Sequence, residues 1–64
     1  MRLSDFWERM NRQFGATYAE SFAKDVVLRE LGGRTIEKAL ADGDSAKHVW
    51  RAVCQVVEVP ASER

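Results

Sequence analysis

His48 and Cys54 are the chain's one histidine and one cysteine, the two side chains best suited by type to serve as base and nucleophile. Their spacing denies them that role. Six residues along a helix rise about 9 Å and turn about 240°, so the imidazole and the thiol point away from one another. One His and one Cys so placed also fall short of the three or four ligands that hold a metal ion. Cys54 lies on an apolar stripe and reads as a buried, inert thiol.

The carboxylates suggest helix surfaces rather than acid–base chemistry. Asp5 precedes Arg9, Glu8 precedes Arg12, Glu20 precedes Lys24 and Asp25 precedes Arg29, each by four residues. Acid first and base one turn later is the better orientation for pairing on a helix, worth about 0.2–0.5 kcal/mol each. Gly32-Gly33-Arg34-Thr35 leads into a helix, whose N-terminus can hold an anion. Neither the dinucleotide fingerprint nor the P-loop spacing is present, and the segment reads as a stop followed by a cap.

Trp7, Trp50, Phe6, Phe14 and Phe22 could stack on bases, but their helical spacing puts them in a core first. Two tryptophans are many for so small a core. Trp50, flanked by Lys47 and Arg51, is the one expected to be partly exposed. Lys47 and Arg51 also form a like-charge pair one turn apart with no acid between. With His48, Gln55 and the Trp50 edge, they make the candidate partner surface: Lys47, His48, Trp50, Arg51 and Gln55.

Four short helices must position these groups, at about residues 4–14, 18–31, 36–42 and 45–58. Ser4 caps the first, whose stripe is Leu3, Phe6, Trp7, Met10 and Phe14, and Gly15 ends it. Thr17 and Glu20 form a capping box for the second. Ala19, Phe22, Ala23, Val26, Val27 and Leu31 line its inner side, and Gly32-Gly33 stops it with a positive φ. Thr35 caps the third, with Ile36, Ala39 and Leu40 inward and Gly43 closing it. Asp44 or Ser45 starts the fourth, and Ala46, Val49, Trp50, Val53, Cys54 and Val57 keep helical spacing. Pro60 discourages continuation, and 61–64 should fray. No useful period-two stretch occurs. The expected fold is all-α, one compact domain spanning 1–64.

Thr35, Ala39, Gly43 and Val49 match the spacing of a helix-turn-helix. In that register Ser45, Lys47, His48 and Arg51 would face a major groove. Lys38, Asp42 and Asp44 stand where such motifs place apolar residues, and no dimer face supplies a second half-site.

Composition narrows the classes further. Ten Lys and Arg balance ten Asp and Glu, which argues against nucleic-acid binding by bulk charge and against a polybasic membrane anchor. Sixty-four residues bury only about 60% of the unfolded surface, so a deep substrate cavity is not expected. A lone cysteine excludes an internal disulfide and favours the cytosol. No signal-peptide h-region or membrane span is expected.

M-R-L-S-D-F-W, L-G-G-R-T, A-L-A-D-G and V-W-R-A-V-C before V-P occur in this order along the chain. In these motifs the chain resembles a family of small actinobacterial proteins known as domain of unknown function 3046. The resemblance covers essentially the whole chain and implies a small cytosolic protein without an assigned activity. It also implies gene proximity to the recombination proteins RecA and RecX, which gives no residue a role. No catalytic residue, cofactor or metal site is assigned. The expected function is a non-enzymatic protein-binding or adaptor module. The alternative is a nucleic-acid-binding module built on the third and fourth helices.

Overall fold

The computed structural model describes residues 1–63. Four helices carry the fold: α1 (Leu3–Phe14), α2 (Ala16–Asp25), α3 (Ile36–Ala41) and α4 (Ala46–Val56). A two-residue hairpin, β1 (Val27–Leu28) and β2 (Arg34–Thr35), lies between α2 and α3. The radius of gyration, 10.5 Å, matches the roughly 10.7 Å of one compact unit of this length.

Two expected helix starts are displaced. Arg2, not Ser4, is the cap of α1, and its N–H donates to the Asp5 carboxylate at 3.2 Å. Ser4 lies one residue inside the helix. Gly15 ends α1 and also begins α2, so the Thr17–Glu20 capping box does not form. Glycine permits this double use through its φ of 84°. Its N–H reaches the Asn11 carbonyl at 2.8 Å while its own carbonyl accepts from Ala19 at 2.8 Å.

The expected helix over 18–31 stops at Asp25. Val26 and Val27 are β-branched and adjacent, a pair that favours extended backbone. Val27 pairs with Thr35 and Leu28 with Arg34, antiparallel. A 3₁₀ turn, Arg29–Leu31, joins the strands and ends at left-handed Gly32, φ 67°. Gly33 also has positive φ, and its N–H donates to the Leu28 carbonyl at 3.0 Å. Both glycines thus take the expected conformation, but they close the hairpin rather than α2. The change of period reverses two burials: Val27 is exposed and Leu28 is buried.

The later caps form as the sequence predicts. Thr35 Oγ1 accepts from the Lys38 N–H, and Ser45 Oγ from the His48 N–H, both at 3.1 Å. Helix α4 ends at Val56 rather than 58. Val57 is extended, which carries Val59 back into the core. Ala61–Glu63 forms a 3₁₀ turn where fraying is expected, and Arg64 lies outside the described residues.

Phe6, Met10, Leu31, Ile36, Val49 and Val53 form the centre of the core. Phe6 meets Trp7 edge-on at 5.1 Å between centroids and Trp50 at 6.0 Å, near-perpendicular geometries that suit aromatic quadrupoles. Leu3, expected on the inner stripe, is exposed at the start of α1.

Candidate partner surface

Helix α4 positions Lys47, His48, Arg51 and Gln55 within one outward arc, and all four are exposed. Trp50 is not an exposed edge. It is 2% accessible, because it shares the inward side with Val49 and Val53 and packs on Phe6. Trp7 is the tryptophan left half-buried.

The head of α4 differs from its flank. Arg34 Nη2 donates to Asp44 Oδ2 at 2.7 Å, and Nη1 to Asp44 Oδ1 at 3.3 Å and to Asp42 Oδ2 at 3.2 Å. Arg34 Nε donates to the Leu31 carbonyl at 2.7 Å. A planar guanidinium with this fork of donors fixes β2 against the α3–α4 turn. Lys38 Nζ reaches the other Asp42 oxygen at 3.1 Å. The hydrogen bonds from Lys38 and then Arg34 hold the Asp42 carboxyl below its usual range. Those to Asp44 and then Asp42 push the Arg34 guanidinium up. His48 Nε2 lies 3.6 Å from Asp44 Oδ2, so a protonated imidazole belongs to this cluster rather than to the basic flank. Sequence pattern places Arg34 only in a turn, because its partners stand eight and ten residues away.

On the flank, Lys47 and Arg51 enter no ion pair among the described residues. They border an open depression of about 320 Å³ together with Met1, Trp50 and Arg9. Arg9 comes from α1 and adds a third cation that helical spacing within α4 could not reveal. A second depression, about 290 Å³, continues along α4 past Trp50 and Arg51 to Cys54 and Gln55. Cys54 is half-buried at its wall rather than sealed in the core. Two expected surface pairs, Glu20–Lys24 and Asp25–Arg29, do not form. The second fails because α2 ends at Asp25.

Among the described residues no group of three or more His, Cys, Asp or Glu could hold a metal ion. No helix among them is long and apolar enough to cross a membrane. These features define a small, mostly helical domain with a hairpin accessory and a basic face on its last helix. The chain belongs to the family described as protein of unknown function (DUF3046), which it matches over residues 1–62. No curated protein and no solved structure matches the chain.

Proposed function

We propose that this protein is a non-enzymatic cytosolic binding or adaptor module that engages a protein partner through the outward arc of α4. One observation carries the reading. Cations at the head of the helix are tied to carboxylates, whereas Lys47 and Arg51 on its flank have none within pairing distance among the described residues. Like charges one turn apart slightly disfavour the helix, so they are better explained by a complementary surface than by helix stability. The single cysteine supports the cytosolic part.

The succession of α3, a tight turn and α4 favours a second reading, a nucleic-acid-binding module with α4 in the major groove. Asp42 and Asp44 weigh against it, because they stand at the end of α4 that such motifs bring to the duplex. Capture from native lysate, comparing the wild type with the Lys47→Glu, Arg51→Glu double variant, tests the module. The captured protein should be lost while helical circular dichroism is retained. Capture at undiminished yield would move the functional face elsewhere. Salt-dependent affinity for generic duplex DNA would favour the second reading.

A further inference from the structure

The segment Lys24-Asp25-Val26-Val27-Leu28-Arg29-Glu30 is self-complementary about Val27. Positions equally far from Val27 carry opposite charges, Lys24 against Glu30 and Asp25 against Arg29, or aliphatic side chains, Val26 against Leu28. All four charged residues are exposed, and none enters an ion pair among the described residues. Val26 and Leu28 have extended backbone, with φ/ψ of −92°/121° and −108°/125°, so β1 and its entry form an extended run. That run has β2 on one side, and among the described residues no strand lies on the other. Exposed edges are ordinarily blunted by a charge, a proline or a bulge. Residues 26–28 hold neither a charge nor a proline. Leu28 faces the core, so Val27, the neighbour on the strand, faces away from it and is 60% exposed.

We propose that the open edge of β1 takes a second copy of this chain: two β1 edges pair antiparallel about a two-fold axis at Val27 and join two hairpins into one sheet. The axis makes the contact isologous, so each residue meets the one equally far from Val27 on the second copy. Val27 packs on the second copy's Val27, and Val26 stands opposite its Leu28. Asp25 then lies beside the second copy's Arg29, and Lys24 beside its Glu30. Opposite charges across a strand pair stabilise it, and like charges facing one another destabilise it. A parallel, in-register pairing would set each charge against its own kind, so the charges select the antiparallel arrangement. Strands this short bury less than the roughly 1,000 Å² of a stable complex, so the dimer is weak and forms at high protein concentration. It uses the hairpin alone and is independent of the α4 surface.

The test is backbone-amide NMR of the full chain over a concentration series reaching about 2 mM. With rising concentration, translational diffusion should slow and the amides of residues 24–30 should shift. Asp25→Arg and Arg29→Asp should each weaken self-association about tenfold, because like charges then face one another. An equimolar mixture of the two variants should regain the wild-type association, since in the mixed pair every arginine again faces an aspartate. Both positions are exposed, so each dilute variant should keep the dispersion of the wild-type amide spectrum. Val27→Lys, which sets two ammonium groups at the axis, should abolish the association. A wild type that diffuses as a monomer throughout overturns the proposal. So does concentration-dependent shifting confined to α4, association that survives Val27→Lys, or a mixture that associates no better than either variant alone.

Discussion

The head and the flank of α4 carry similar residues and use them oppositely. At the head, Asp44 is locked to Arg34, and Asp42 to Arg34 and Lys38, so charge there joins the hairpin to α3 and α4. One turn further on, Lys47 and Arg51 join nothing among the described residues and stand over a buried tryptophan. Charge that is spent on the fold is held by partners on other elements. Charge that is not is left facing solvent beside a depression. The contrast separates residues whose loss should cost stability from those whose loss should cost only recognition.

Phe6→Ala would break the comparison altogether, because head and flank rest on one core. Its loss should cost about 3–5 kcal/mol, against a total of about 3–10 kcal/mol for a domain of this size. Chemical denaturation should show one transition moved far to lower denaturant. Persistent amide protection in α3 alone would mean that the head region is independently stable.

Gly32→Ala acts on the head only. An added Cβ meets nothing within 4 Å, so the cost is that of a positive φ at a non-glycine residue, about 1 kcal/mol. Denaturation should report that loss, and partner capture through the flank should be unchanged.

The Lys47→Gln, Arg51→Gln double variant acts on the flank only. Stability should stay within about 0.5 kcal/mol of the wild type, as for surface positions without fixed partners. A larger destabilisation would mean that these cations serve the fold after all.

Asp42→Asn sharpens the contrast through pH. The folded Asp42 carboxyl is held below its unfolded value of about 3.9. Its contribution is therefore fully present above that pH and is lost as pH falls through the folded value. The wild type should lose stability in acid more steeply than the variant, and the two curves should converge at low pH. Parallel curves would show that Asp42 adds nothing to the head.

What the sequence made legible follows the range of each interaction. Thr35 and Ser45 act three residues away, so their caps could be read directly. The helical stripes also placed Phe6, Met10, Ile36, Val49 and Val53 correctly in the core. Strands of two residues have no period to detect, which hid the hairpin inside an apparent helix. The charged neighbours of Trp50 in sequence point to exposure, but its place beside Val49 and Val53 on the wheel decides its burial. The Arg34 clasp and the approach of Arg9 to α4 depend on chain reversals, and no local pattern encodes them.

Gly15 has a mechanical consequence. It is a corner with no linker, so the direction of all of α2 hangs on the two torsions of one residue. A ten-residue arm is about 15 Å long, and a swing of about 10° at the corner moves its far tip by about 2.6 Å. Phe14 before the corner stacks on Tyr18 and Phe22 beyond it, at 5.6 and 4.7 Å between centroids, and braces the angle as a gusset braces a frame. The hairpin begins two residues past that arm's tip, so the aromatic brace also sets where Arg34 meets its two aspartates.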